Sequence, residues 1–143
     1  MASKLYGNFL LKALNKEVDF DSDTIKVALL SSSYTPDQDA HDYYNDVSTY
    51  EVSGTGYTAG GSTLASKTAT YDSANNVIVL DAADTTWASS TITARYAVIY
   101  DSTGTSSTSA LIGYVDFGSD QSSTNGNFTI TWDSTGIVRI TVA

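Results

Sequence analysis

The sequence lacks cysteine and contains one histidine, His41, and one proline, Pro36, in 143 residues. Without cysteine the chain forms no disulfide, thiolate nucleophile, or cysteine-ligated zinc or iron–sulfur site. One histidine excludes metal centres built from several imidazoles, and it makes any Ser-His-Asp catalysis depend on His41 alone. These absences exclude much of enzyme chemistry before any motif is considered.

Positive charge is scarce, with 7 Lys and Arg residues against 16 Asp and Glu residues and a net charge of -9. This charge repels phosphate backbones and anionic membranes, so we expect neither nucleic acid nor membrane as a partner. No apolar run approaches the roughly 20 residues that a helix needs to span a bilayer. Asn8 and Lys12 interrupt the first apolar segment, unlike a secretory signal, so we expect synthesis in a cytoplasm.

The abundant residues are those of β-proteins. The chain has 20 serines, 20 threonines and 10 tyrosines, and these residue types favour strands and turns over helices. The length fits one domain with a substantial core, and no composition shift divides it. We therefore predict a mainly β protein with a single domain over residues 1–143.

Apolar residues recur at helical spacing near the start of the chain, which predicts one N-terminal amphipathic helix over residues 3–16. The residues that carry this pattern are Leu5, Phe9, Leu10, Ala13 and Leu14. Two positions for its apolar face remain open. The face packs on the core of its own domain, which is the usual arrangement, or it docks on a neighbouring protein.

After the helix the hydrophobic period changes to two, which indicates strands. Residues 24–30 form the first strand, residues 31–61 form a long contact loop, and residues 62–143 form antiparallel strands. Those strands are 63–71 with 77–80 as a hairpin, a central strand 92–100, then 111–117, and a C-terminal hairpin of 128–132 with 138–142. This pattern predicts an antiparallel β-sandwich or small barrel.

The C-terminal hairpin is predicted from turn residues that stand between two segments of alternating apolar residues. Asp133 and Gly136 stand at the two ends of a type I turn. Trp132 shares its strand face with Phe128 and Ile130, so we expect its side chain to be buried in the core and not to serve as a sugar platform.

Two motifs suggest ligands only weakly. Residues 54–59 match G-x-G-x-x-A, but no helix follows to hold a pyrophosphate, so the glycines indicate a tight loop. Asp19, Asp21 and Asp23 resemble the start of a calcium loop, although Thr24 and Leu30 occupy the positions that an EF-hand gives to Gly and Glu. We interpret this segment as a polar linker, with an irregular calcium site as the alternative.

The loop 31–61 holds the densest acidic cluster, and tyrosines are interleaved with it. Tyrosine supplies a rigid contact area with a polar tip and is enriched at interfaces. We therefore predict a contact surface, while a plain solvated loop and a metal or acid–base site remain alternatives. The acidic cluster is Asp37, Asp39, His41, Asp42 and Asp46, and the predicted interface residues are Tyr34, Tyr43, Tyr44 and Tyr50.

Catalysis finds little support in the residues. A glycosidase needs two carboxylates across a cleft, and the spacing of Asp81 with Asp84, or of Asp116 with Asp120, does not single out either pair. The chain also lacks a nucleophile elbow that would work with His41. We therefore expect no enzyme activity, no catalytic residues, no cofactor and no metal.

Long segments of the sequence carry a family resemblance. They are KLYGNFLLKALNKEVDFDSDTIKVALLSSSYTPDQDAHDYYNDVS, EVSGTGYTAGG, ITARYAVIYDSTG, LIGYVDFGSD and FTITWDSTGIVRITVA. They resemble short structural proteins of tailed bacteriophages, in particular head proteins of the decoration or cement type. The resemblance covers most of the chain and implies no catalytic residues.

The resemblance implies a virion protein that is made in the host cytoplasm and lies on the capsid surface. Its partners would be the major capsid protein, whose outer shell it would stabilise, and copies of itself. Closed symmetric oligomers suit repeated shell sites, and we expect a homotrimer. The alternatives are a tail or head-fibre component with a host-recognition role and, from a different class, a glycan hydrolase.

Overall fold

The computed structural model describes residues 2–142, which form two antiparallel sheets, one short α-helix and three 3-10 turns. The α-helix is α1 (Phe9–Leu14), and the 3-10 turns are Tyr44–Asp46, Ser48–Tyr50 and Ser106–Thr108. The strands are β1 (Ala2–Leu5), β2 (Ile25–Leu30), β3 (Ser62–Thr63), β4 (Thr68–Asp72), β5 (Val77–Asp81), β6 (Thr85–Asp101), β7 (Leu111–Ile130) and β8 (Val138–Thr141).

The two sheets form a sandwich that does not close into a barrel. One sheet has five strands in the order β1-β7-β6-β2-β3, and the other has three in the order β4-β5-β8. This confirms the predicted mainly β, antiparallel sandwich class. The predicted central strand 92–100 lies inside β6, which is central as expected, and the predicted hairpin is present as β4 and β5.

The five-stranded sheet is buried on both faces, and β2 shows why. Ile25, Val27 and Leu29 alternate towards the core between the sheets, where they meet Leu80 and Val138 of the smaller sheet. Ala28 and Leu30, which alternate with them, belong to a second core on the opposite face, which is rich in tyrosine. A strand covered on both faces carries apolar residues at consecutive positions, as β2 does.

β6 and β7 form a long ribbon that bends across the core. Their pairing changes register between Ala94↔Gln121 and Tyr96↔Asp116, so β7 carries extra residues at this point. Such bulges bend a strand and increase its twist. Beyond the bulge, Trp87 and Phe128 pack edge-to-face in the core between the sheets.

The N-terminal helix is shorter than the predicted span 3–16. Residues 2–5 instead form β1, which pairs with β7 from Ala2↔Asp116 to Leu5↔Gly113. The backbone hydrogen bonds of a sheet edge outweigh a helical pattern that lacks a side-chain N-cap and an acidic first turn. The α-helix that remains has 6 residues, Phe9–Leu14.

The predicted C-terminal hairpin is wrong, although its turn is present. The Gly136 N–H donates to the Asp133 carbonyl at 2.9 Å, as the turn signal indicated. However, the end of β7 pairs with β6, and β8 pairs with β5 in the other sheet. The turn therefore carries the chain between sheets, because turn chemistry specifies a reversal of the chain and not its partner strand.

The prediction that Trp132 is buried in the core is also wrong. Phe128 and Ile130 are buried as predicted, but β7 ends at Ile130, and Trp132 lies beyond the ladder and is only half-buried. Its indole N–H donates to the Ala83 carbonyl at 3.1 Å. The fully enclosed tryptophan of the core is Trp87.

Candidate functional site

Two of the four predicted interface tyrosines lie inside the protein. Tyr34 and Tyr44 are 1% and 8% exposed and belong to the core on the outer face of the five-stranded sheet. The Tyr34 ring packs edge-on against Tyr96, with centroids 5.4 Å apart. In this fold neither side chain is available to a partner, which corrects the prediction that all four line the surface.

Tyr43 and Tyr50 are half-buried, and their contact role stays a prediction. The Tyr43 hydroxyl donates to Glu17 Oε1 at 2.6 Å, and the Lys12 ammonium lies 3.5 Å from the centre of the same ring. Tyr50 packs against Tyr34 with ring centroids 5.5 Å apart. Tyr43 therefore holds the loop to the N-terminal segment, whereas the Tyr50 ring contacts another residue of the loop.

His41 is held in a hydrogen-bonded chain of buried phenols. The hydroxyls of Tyr6 and Tyr34 are 2.8 Å apart, and the Tyr34 hydroxyl is 3.0 Å from His41 Nδ1. The same nitrogen accepts the Asp37 N–H at 3.3 Å. Burial raises the pKa of Tyr34 to about 12, so its hydroxyl keeps its proton at neutral pH. The arrangement closes the loop onto the second core.

The acidic residues of this loop bind its own backbone. Asp37 Oδ1 accepts the N–H groups of Asp39 and Ala40, and Asp46 Oδ2 accepts those of Asp42 and Tyr43. Across residues 2–142, no group of three or more His, Asp or Glu side chains has a geometry that would hold a metal ion. Asp37 and Asp46 therefore act as turn caps in this structure, while the Asp42 carboxylate forms an ion pair with Lys12.

Three of the four carboxylates considered for glycosidase chemistry, Asp81, Asp84 and Asp116, also have local partners. Arg95 binds Asp116 through two hydrogen bonds of 2.6 and 3.3 Å, and this guanidinium holds the pKa of Asp116 below its usual range. Asp84 Oδ1 accepts the Trp132 N–H at 2.9 Å, and Asp81 caps the N–H of Ala82.

The glycine motif 54–59 leads to Gly61, whose φ of +79° and contact with the Val27 carbonyl leave no room for a Cβ.

Helix α1 presents three leucines to solvent, which we call the leucine patch: Leu10, Leu11 and Leu14. They are 42%, 58% and 83% exposed. Residues three and four apart share a face of a helix, so Leu14 lies beside both of the others. The opposite face is anchored by buried Phe9 and by Lys12, whose ammonium donates to the Asp42 carbonyl at 2.9 Å. The helical pattern included Leu10 and Leu14 but not Leu11, and it did not predict that these side chains face outwards.

A groove of about 930 Å³ opens where the sandwich is not closed. It lies between β1 and β7 of the larger sheet and the segment 132–139 that leads into β8. Half-buried Phe117, Trp132 and Ile137 line it, beside core residues of both sheets. Its volume is in the range of small-molecule sites. No local sequence pattern predicted this groove, because its walls come from strands far apart in the chain.

Comparisons with known proteins add no function to this geometry. No family model, curated protein or solved structure matches the chain. Between residues 2 and 142, no helix has the length and apolar character needed to span a membrane. The features of this fold that bear on function are therefore the leucine patch, the groove and the charged clusters.

Proposed function

We propose that this protein is a bacteriophage capsid decoration or cement protein, which binds the outer surface of the major capsid shell and stabilises it by non-covalent contacts. The leucine patch is the observation that carries the proposal, and the resemblance of the sequence to phage head proteins supports it. Three large apolar side chains together on the solvent-exposed face of a helix are typical of a protein contact site.

The patch is held in a fixed orientation, which favours binding. Phe9 packs into the core between the sheets, and Lys12 forms an ion pair with Asp42 at 3.3 Å with only 9% of its side chain exposed. Burying an exposed leucine completely stabilises a contact by about 1.5–3 kcal/mol, and a preorganised helix loses little entropy on docking. Repeated over many copies on a shell, modest contacts of this kind reinforce the particle.

The charge of the chain fits the same role. A net charge of -9 keeps the protein from binding the packaged DNA. The sheet ends β1, β3, β4 and β8 offer edges for self-association, and a homotrimer is the expected state.

A tail or head-fibre component with a host-recognition role is the second candidate. The observation that favours it is the half-buried Trp132 in the groove, because aromatic rings with one free face are suited to binding sugars. Imaging of the purified particle separates the two candidates. A decoration protein lies over the whole icosahedral shell, whereas a tail component is confined to one vertex.

The leucine patch is tested with the double variant Leu11→Glu with Leu14→Glu. We expect its occupancy on purified capsids to fall by about tenfold or more, since a few kcal/mol of apolar contact is replaced by charge. Its melting temperature should stay close to that of the parent, because both side chains are exposed. Tyr71→Ser is the matched control, since Tyr71 is 56% exposed but lies on β4 of the other sheet. Parental occupancy in the double variant would refute the patch as the contact surface.

A further inference from the structure

A small pocket lies where the linker between α1 and β2 meets the end of β6. It has a volume of about 470 Å³, and we call it the Asp101 pocket. Every residue that lines it, except Lys16, has a carboxylate or hydroxyl oxygen in its side chain. The residues that supply those oxygens are Glu17, Ser22, Asp23, Thr24, Asp101, Ser102 and Thr103.

Asp101 is the unusual member of this pocket. It is only 3% exposed, and its Oδ2 has no hydrogen-bond partner among the described residues. Its backbone is fixed, because Asp101 pairs with Ile25 in the sheet and its N–H donates to the Ala110 carbonyl at 2.9 Å. A buried carboxylate without a partner is costly, so this group requires a cation or a proton.

Asp23 brings a second carboxylate to the same place. The loop that carries it is closed by the Asp23 N–H, which donates to the Asp19 carbonyl at 2.8 Å, and by the Asp19 N–H, which donates to Asp23 Oδ2 at 2.8 Å. Burial, followed by the hydrogen bond that a protonated Asp101 makes with the Asp23 side chain and by the negative charge of Asp23, raises the pKa of Asp101 to about 7. The two carboxylates are therefore held together by rigid elements on both sides.

Lys67 neutralises this cluster only in part. Its ammonium donates to the carbonyls of Phe20 and Asp23, which engages it with the linker backbone. Its positive charge lowers the pKa of Asp101, but Asp19 and Asp23 both act in the opposite direction. In and around the pocket, the ammonium groups of Lys16 and Lys67 stand against four carboxylates, which leaves net negative charge near the unpartnered oxygen of Asp101. The other three carboxylates are those of Glu17, Asp19 and Asp23.

We propose that the Asp101 pocket binds a calcium ion, with Asp23 and Asp101 as its carboxylate ligands and neutral oxygens completing the shell. Calcium takes six to eight oxygen ligands in flexible geometry and accepts hydroxyls, carbonyls and water, whereas magnesium requires a stricter octahedron. Because no three carboxylates converge within residues 2–142, we expect weak affinity, with a dissociation constant of about 10⁻⁴–10⁻³ M.

The bound ion would join the linker 15–24 to the end of the central strand β6. Of the three alternating aspartates in this linker, only Asp23 lines the pocket, while Asp19 Oδ1 accepts the N–H groups of Asp21 and Ser22. The site therefore differs from a linear calcium loop. Its second carboxylate comes from a distant part of the chain and is brought there by the pairing of β2 with β6.

The test uses the full chain, stripped of metal, at pH 8, where Asp101 is ionised. Thermal unfolding is followed with CaCl₂ or MgCl₂ added up to about 10 mM, a concentration roughly 10–100 times the expected dissociation constant. We expect calcium to raise the melting temperature by about 4–10 °C and magnesium to have a much smaller effect. Calorimetric titration with CaCl₂ should give one site per chain.

Variants separate the site from general charge effects. Asp101→Asn should lower calcium affinity by tenfold or more, and Asp23→Asn provides the same test should the first variant fail to fold. Asp120→Asn is the matched control, since it removes one exposed carboxylate on the β7 bulge and should keep the full calcium response.

Two results would overturn the proposal. The first is a calcium response that is matched by magnesium or unchanged in both pocket variants, which would indicate general screening. The second is no calcium response in the parent, with Asp101→Asn more stable than the parent at pH 8, which would indicate that the two carboxylates repel each other without a bound cation between them. Both results would leave the leucine patch and the capsid role unaffected.

Discussion

The ring of Tyr44 stacks on the ring of Tyr100 with centroids 4.1 Å apart and planes inclined by 11°. Tyr44 comes from the long loop, and Tyr100 comes from the central strand β6. This pair attaches the loop 31–61 to the outer face of the five-stranded sheet, where it covers a second core. The tyrosines that suggested a contact surface thus contribute first to the stability of the domain.

The hydroxyls of Tyr44 and Tyr57 should contribute differently to the free energy of unfolding, and two Tyr→Phe variants measure the difference. Tyr44 Oη has no hydrogen-bond partner among residues 2–142, so Tyr44→Phe should change the free energy of unfolding by less than about 1 kcal/mol. The Tyr57 hydroxyl donates to Glu51 Oε1 at 2.6 Å and accepts the Leu29 N–H at 3.0 Å. Tyr57→Phe should therefore cost about 1.5–3 kcal/mol, measured by urea unfolding. Equal costs for the two variants would contradict this assignment of partners.

The two tryptophans should differ in stability and in solvent access. Trp87 is buried in the core between the sheets, so Trp87→Ala should cost about 3–5 kcal/mol. Trp132 is half-buried at the groove, and Trp132→Ala should cost about 1–3 kcal/mol.

Iodide quenching measures the same difference without unfolding. The chain has 2 tryptophans, so each Trp→Phe variant reports on the one that remains. Fluorescence from Trp132 should be quenched readily and that from Trp87 hardly at all. Similar quenching of both would mean that the end of β7 is packed differently from the structure described above.

The Arg95–Asp116 pair predicts a specific pH dependence. The guanidinium lowers the pKa of the Asp116 carboxyl in the folded protein, so the pair stabilises the fold above the ordinary carboxyl pKa of about 4 and loses this effect as the pH falls through the lowered value. Asp116→Asn should therefore be less stable than the parent at pH 7, and the difference should disappear near pH 2. Melting temperatures across this range, with Asp120→Asn as the exposed control, provide the measurement. A difference that persists at low pH would point to packing instead of charge.

Local sequence patterns predicted the elements whose neighbours are close in the chain. The alternation in 24–30 and 92–100 predicted β2 and part of β6, and the polar link 72–76 predicted the β4–β5 hairpin. These predictions succeed because side-chain period and turn residues act within a few positions. The extension of β6 and β7 to 17 and 20 residues was missed, since bulges interrupt the alternation that marks a strand.

The candidate sites depend on neighbours that local patterns do not specify. The same alternation around Trp132 suits a hairpin or a crossover between sheets, and only the pairing of β8 with β5 decides between them.

Composition and periodicity by themselves determined the antiparallel β class, the central strand and the short links, because these follow from backbone geometry and residue preference over a few positions. Tertiary structure alone decided which face each element buries. It turned Tyr34 and Tyr44 inwards, left Leu14 exposed, and placed Asp23 beside Asp101. The physical reason is that burial and charge proximity depend on which distant strands pair, and that choice is made by the packing energy of the whole domain.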